Sequence, residues 1–134
     1  HVSNLMFVNK QIGVIDSQDA VIGNRAYDLA SLIDDVRFKT SILLKKKIFN
    51  FYIKKQNKLS IDKFKNDFEI LSILRNLKII GIFTRLAQRD GKKNYLKLIP
   101  HAWYLIRIRI NKNSLFKDLE YLLNENFNRE LNEN

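Results

Sequence analysis

Asn4-Leu5-Met6-Phe7-Val8-Asn9-Lys10-Gln11-Ile12-Gly13-Val14-Ile15-Asp16 is the stretch on which the fold turns. Its two short apolar runs, separated by Asn9-Lys10, follow a strand, turn, strand pattern. So tight a connection makes the pair an antiparallel hairpin. Asn4, opening the first run, and Asp16, closing the second, then stand at corresponding ends of paired strands. An amide oxygen and a carboxylate converging there suit a hard cation such as Mg²⁺, which takes a few protein oxygens and leaves its other positions to water and phosphate. A strand-terminal Asp also serves as an Asx turn or a helix cap, so the spacing alone leaves both readings open.

Downstream of the hairpin, the polar text from Ser17 to Arg25 reads as a loop. A helix follows, because Ala26, Leu29, Ala30 and Ile33 recur at helical spacing, with Asn24 as its N-cap. Beyond Arg37 the pattern is almost wholly helical. Residues 41–56 form one segment and Asn57-Lys58 breaks it. Ser60 caps a long helix over 61–88 whose apolar stripe is Phe64, Phe68, Leu71, Leu74, Ile79, Ile82 and Leu86. Asp90-Gly91 signals a turn, and Pro100 suits the first turn of a helix containing Trp103. Residues 106–110 alternate Ile and Arg strictly and are compatible with a strand as well as a helix. A last amphipathic helix covers 114–127, and the tail at 129–134 is expected to fray. With no internal repeat and no linker, one α+β, mostly helical domain is expected over 1–134: a short N-terminal β-hairpin followed by a helical bundle.

Composition excludes several classes. A chain of 134 residues with 46% hydrophobic residues, 4 Gly and 1 Pro can bury a core and is neither disordered nor fibrous. The lack of Cys excludes a disulfide scaffold, a thiolate nucleophile and Cys-ligated metal. No apolar run reaches the roughly 18 residues that span a bilayer, and no leader is legible before His1, so a cytoplasmic, processed or truncated chain is expected. The net charge of +10 is unevenly spread. Residues 1–37 carry three basic and five acidic side chains, a balance of −2, so the remainder carries +12. Lys45, Lys46, Lys47, Lys54, Lys55 and Lys58, interleaved with Phe49, Phe51 and Tyr52, have the look of a footprint for nucleic acid or an acidic membrane. Because Lys outnumbers Arg 16 to 8 and no Arg cluster offers bidentate contacts, a solvated helix face is the better reading, with neither nucleic acid nor membrane as partner.

Three segments in order carry a resemblance: His1-Val2-Ser3-Asn4-Leu5, Gly13 to Ala20, and Gly23-Asn24-Arg25-Ala26-Tyr27-Asp28-Leu29-Ala30-Ser31-Leu32. Together they resemble the C-terminal lobe of the aminoglycoside phosphotransferase and choline kinase superfamily, which has a protein-kinase-like fold. Gly81 to Leu86, Arg89-Asp90-Gly91-Lys92, Tyr95-Leu96 and Pro100 to Trp103 are similar to a bacterial branch of anomeric sugar kinases acting on N-acetylmuramate and N-acetylglucosamine in cell-wall recycling. The resemblance implies an ATP- and Mg²⁺-dependent phosphotransferase with an amino sugar as the favoured acceptor. The family's catalytic loop reads His-x-Asp-x-His-x-x-Asn, and this chain opens at its second His. Asn4 then matches the metal-binding Asn, and Asp16 the Asp that also binds metal. Asp19 is implied as a metal or substrate contact, Asp28 as a carboxylate that braces the loop, and His1 as a support for it. Arg85, Arg89 and Asp90 are candidates for the acceptor pocket because they fall in the branch-specific stretch. Ser17 departs from the family, which has an aromatic residue there. The catalytic Asp would lie two residues before His1, and the N-terminal lobe with the nucleotide-pairing Lys would precede it, so the 134 residues alone are expected to be inactive.

Other candidates are weaker. His101 lacks further His or Cys for a metal site, and Trp103, Phe83 and Tyr95 read as core. Two alternatives stand beside the amino-sugar kinase: a kinase of aminoglycoside or choline type with another hydroxyl acceptor, and a non-enzymatic basic helical binding module.

Overall fold

In a computed structural model the chain opens on a 3₁₀ turn, Val2–Asn4, and continues as β1 (Leu5–Val8), β2 (Gln11–Val14), α1 (Ala26–Ile33), α2 (Ile42–Lys55), α3 (Ile61–Arg89), α4 (Ile99–Ile110) and α5 (Lys117–Asn132). The structure describes residues 1–18, 21–111 and 113–132, without the side chains of 128–132. Asp19 therefore lies outside the described residues, as do positions 133 and 134 of the tail.

The hairpin forms as its sequence predicts. β1 and β2 pair antiparallel in the register Leu5 with Val14, Met6 with Gly13, Phe7 with Ile12 and Val8 with Gln11. Asn9 (φ 51°) and Lys10 (φ 63°) both adopt left-handed conformations, which a two-residue turn needs to match the strand twist. Every residue of both strands is exposed, Phe7 to 75%.

The chain divides into two compact units, His1–Phe68 and Glu69–Asn134, with the division inside α3 rather than at a linker. In the first unit α1 packs on α2 and buries Ala26, Leu29, Ala30 and Ile33, the residues its periodicity selects. Arg25 takes the cap position of α1, one residue later than predicted, while the Asn24 side-chain oxygen accepts from the Ala26 N–H at 2.9 Å. Ser41 caps α2 by accepting from the Leu44 N–H. Phe49 meets Phe68 edge-on at 5.1 Å, and Tyr52 stacks on Phe64 at 5.4 Å. Of the lysines predicted to form a solvated face, Lys45 is buried, with 4% exposure. Its Nζ donates to Asp34 at 2.9 Å and to the Ile33 carbonyl at 2.6 Å, so the charge sits on the C-terminal end of α1, where the helix dipole also favours a cation. The other five remain exposed.

The second unit has its core around Ile73, Trp103, Ile106, Ile110, Phe116 and Leu123. Residues 106–110 are helical: Ile106 and Ile110, four apart, share the buried face of α4, which settles the ambiguity of the alternating text. Phe83 packs on Tyr95 at 4.9 Å and Trp103 on Phe127 at 5.3 Å. The predicted stripe of α3 is partly corrected. Leu74 is 55% exposed, and the buried face runs through Ser72, Ile73, Arg75, Asn76, Ile79, Phe83 and Ala87. A reading of apolar positions alone skips Ser72, Arg75 and Asn76. Asn76 sits there because its Nδ2 returns to the Ser72 carbonyl one turn back, at 2.8 Å. α5 continues past its predicted end at 127 to Asn132, with a break in helical geometry at Phe127 (φ −139°, ψ 35°).

Gly91 (φ 66°) terminates α3, and the Lys92 N–H reaches back to the Leu86 carbonyl at 3.1 Å. Gly91→Ala is expected to lower stability by about 1 kcal/mol, since a Cβ disfavours this conformation although space for it is open. Chemical denaturation at equilibrium measures this directly, and an unchanged midpoint would contradict it. Among the described residues no helix is long and apolar enough to cross a membrane.

Candidate metal centre

The hairpin sets two oxygen-bearing side chains side by side. The Ile15 N–H donates to the Asn4 carbonyl at 3.0 Å and extends the strand pairing to Asn4, so Asp16 emerges next to it. Asn4 Nδ2 lies 3.3 Å from Asp16 Oδ2, and Gln18 Nε2 donates to Asp16 Oδ1 at 2.6 Å. Asp16 itself has φ 62°, a left-handed conformation that Asp tolerates better than most residues but that still costs of order 1 kcal/mol. That bend turns the carboxylate out of the strand direction, to where both neighbouring amides reach it.

The donor set fits a hard cation. A half-turn of the Asn4 amide exchanges Nδ2 for Oδ1, presenting an oxygen beside the two of Asp16. Among the described residues no group of three or more His, Cys, Asp or Glu is placed to hold a metal ion. From the described residues a cation here would take one carboxylate and one amide, with phosphate and water available for the rest of its shell, as for Mg²⁺ in nucleotide sites.

The base of the site is fixed from below. The Val2–Asn4 turn closes with the Asn4 N–H on the His1 carbonyl at 2.9 Å. Val2 N–H donates at 3.0 Å to Oδ2 of Asp35, which is fully buried just beyond α1, and the Arg37 N–H donates to the other Asp35 oxygen at 2.9 Å. The resemblance assigns the bracing role to Asp28, seven residues earlier. Asp28 stands exposed in the first turn of α1, and the carboxylate bonded to the 1–4 turn is Asp35. His1 contributes its carbonyl to the turn, and its side chain is exposed. Sequence reasoning passed over Asp35 and Gln18. The legible signal for Asp35 was a charged pair, Asp34-Asp35, between Ile33 and Val36, where the apolar context predicts burial and burial demands partners.

Residues 1–62 match the phosphotransferase enzyme family. Over that stretch the chain is similar to members of the family. Its relatives include three proteins named N-acetylmuramate/N-acetylglucosamine kinase. That of Caulobacter vibrioides is 31% identical over 113 residues, covering 81% of this chain and 31% of the relative. The Neisseria meningitidis protein is 37% identical over 112 residues, 79% of this chain and 34% of the relative. The Pseudomonas aeruginosa protein is 30% identical over 126 residues, 90% of this chain and 37% of the relative. The chain thus spans about a third of the length of the curated relatives it matches.

The other predicted site residues fall in the second unit. Arg89 Nε and Nη2 donate to the two oxygens of Asp90 at 2.6 and 3.1 Å, a bidentate exposed pair, and Arg85 is exposed on the same turn of α3. The Arg89 hydrogen bonds hold the Asp90 carboxyl below the usual carboxylate range, against a small opposing effect of burial and with help from the charges of Lys92 and Arg85. Arg89→Ala is accordingly expected to move the Asp90 titration upward, followed by NMR of the side-chain carboxyl. A midpoint that stayed put would contradict this. A carboxyl lowered by folding stabilises the fold above its ordinary pKa, and that contribution is lost as pH falls through the lowered value. His101 is half-buried in α4 and stacks on Tyr104 at 5.7 Å. In the first unit an open cleft of about 300 Å³ has Asn24, Arg25, Lys63 and Asp67 around Phe64, with Asn24 Nδ2 bonded to Asp67 at 2.8 Å.

Proposed function

We propose that the chain is the C-terminal, metal-holding lobe of an ATP- and Mg²⁺-dependent kinase that phosphorylates the anomeric hydroxyl of an amino sugar, N-acetylmuramate or N-acetylglucosamine. The observation that carries this reading is the pairing of Asn4 with Asp16 at 3.3 Å on adjacent strand ends, in a chain whose relatives bear the names of such kinases. Bound there, Mg²⁺ supplies charge neutralisation of the β- and γ-phosphates. The chain's own residues would do the positioning. Asp16 presents a carboxylate whose second oxygen is held by Gln18, Asn4 presents an amide fixed by the strand pairing, and the 1–4 turn carries the chain in from its N-terminal side. Such fixed geometry is the main resource of phosphoryl-transfer enzymes, because the reaction gains most from orientation and from charge that need not reorganise.

The acceptor-orienting Asp would lie two residues before His1, and a preceding lobe would bring the phosphate-covering loop and the nucleotide-pairing Lys. Two observations support it: the chain's one-third share of its relatives, and a hairpin whose strands are exposed on both faces, with Phe7, Ile12 and Val14 each more than two-thirds exposed. An uncovered two-stranded hairpin is marginal in water, and such apolar surface ordinarily packs against something. Arg85, Arg89 and Asp90 remain the proposed acceptor-side residues, and Asp19 a further metal or substrate contact. The test is a coupled ADP-release assay on the full-length protein, with and without N-acetylmuramate. Sugar-dependent turnover is expected, and its absence with both amino sugars would overturn the proposal. The 134 residues alone are expected to give none.

A further inference from the structure

Asp35 is a fully buried carboxylate with no place in the metal pair, yet it is tied to it through consecutive hydrogen bonds. Its Oδ2 accepts from the Val2 N–H at 3.0 Å, and its Oδ1 accepts from the Arg37 N–H at 2.9 Å with the Arg37 guanidinium 3.7 Å away. Val2 begins the 3₁₀ turn that closes on Asn4, and the Asn4 carbonyl in turn accepts from Ile15, the residue before Asp16. The neighbouring carboxylate, Asp34, is engaged elsewhere, by Lys45. The two buried acids therefore divide their work: one anchors α2 to the end of α1, and the other anchors the turn that carries Asn4.

Two properties make Asp35 suited to hold a ligand in place. Its two side-chain oxygens each accept from a backbone N–H of a different segment, at 3.0 and 2.9 Å, so one side chain ties the two segments together. Its anchor is also rigid, since Asp35 lies between Asp34 and Val36, both buried, beside the last turn of α1. The hairpin has no such support of its own, being exposed along both strands.

We propose that Asp35 is a positioning residue that sets the angle at which Asn4 is presented beside Asp16, and so tunes divalent-cation affinity. This rests on the reading of Asn4 and Asp16 as the metal pair. The experiment uses the full-length protein and Mn²⁺ as the probe, with free Mn²⁺ counted by electron paramagnetic resonance and amide hydrogen exchange followed at Asn4 and Ile15. Asp35→Asn should weaken Mn²⁺ binding about tenfold and speed exchange at both amides, because one amide hydrogen now faces a backbone N–H. Val2→Pro removes the same N–H from the other side, at a position that opens a 3₁₀ turn and tolerates Pro. It should weaken Mn²⁺ to a similar extent, and the double variant should be no worse than either single one. Should Asp35→Asn fail to fold, Val2→Pro carries the test alone. Unchanged Mn²⁺ affinity in a folded Val2→Pro protein, or additive losses in the double variant, would overturn the proposal. Asp16→Asn is the separate arm: if it leaves Mn²⁺ binding intact, the metal-pair reading itself fails, whatever Asp35 does.

Discussion

Asp16→Asn in the full-length protein is expected to lower kcat by at least about 10³-fold, some 4 kcal/mol of transition-state stabilisation, while the melting temperature moves by no more than about 2 °C. The large term comes from losing a charge where phosphate charge must be offset. The small one follows from the exposed position of the side chain and from the backbone at φ 62°, which Asn tolerates as well as Asp does. Asn keeps the shape and one acceptor oxygen, and a turn of the Asn4 or Gln18 amide lets its NH2 donate in place of the second, so the substitution separates charge from geometry. Steady-state kinetics with saturating sugar, alongside calorimetry, reads both numbers. Turnover within tenfold of the parent would remove Asp16 from the metal site.

The largest effect on stability is expected at Lys45. Lys45→Ala leaves the Asp34 carboxylate buried and unmatched by its ammonium, and removes a donor from the Ile33 carbonyl. Breaking one side of a buried ion pair costs about 3–5 kcal/mol, a large share of the 5–15 kcal/mol by which domains are stable. Replacing both partners at once, Asp34→Leu with Lys45→Met, should recover most of that loss, because well-packed apolar residues of similar volume do about as well as a buried pair. Urea denaturation of the single and double variants decides it. A loss below about 1 kcal/mol for Lys45→Ala would mean that solvent reaches the pair.

Much of this fold was legible in the sequence because the dominant signals were local. Asn9-Lys10 between two apolar runs fixed the hairpin and its register, and the spacing of Ala26, Leu29, Ala30 and Ile33 fixed α1 and its buried face. Asn4 and Asp16 could be brought to the same end of the hairpin from the sequence alone, since a two-residue turn sets Asn4 opposite Ile15, the residue before Asp16. The failures share one cause. Lys45, Asp34, Asp35, Glu69, Ser72, Arg75 and Asn76 are all buried polar residues, and polarity read along the chain assigns them to the surface. Their partners lie on other segments or one turn away, as Val2 does for Asp35, 33 positions distant, and Asn113 for Glu69, 44 positions distant. No short window along the chain holds both members of the two distant pairs. In the same way Leu74 was drawn into a stripe that α3 turns toward solvent, because Ser72 and Asn76 occupy the buried face beside it.

The central claim, that this lobe serves an anomeric amino-sugar kinase, is tested most directly by phosphorus NMR of the product formed by the full-length protein from ATP, Mg²⁺ and N-acetylmuramate. A phosphate resonance coupled to the anomeric proton of the sugar is the predicted result. A phosphate on another hydroxyl, or ATP left intact in the presence of both amino sugars, would contradict it.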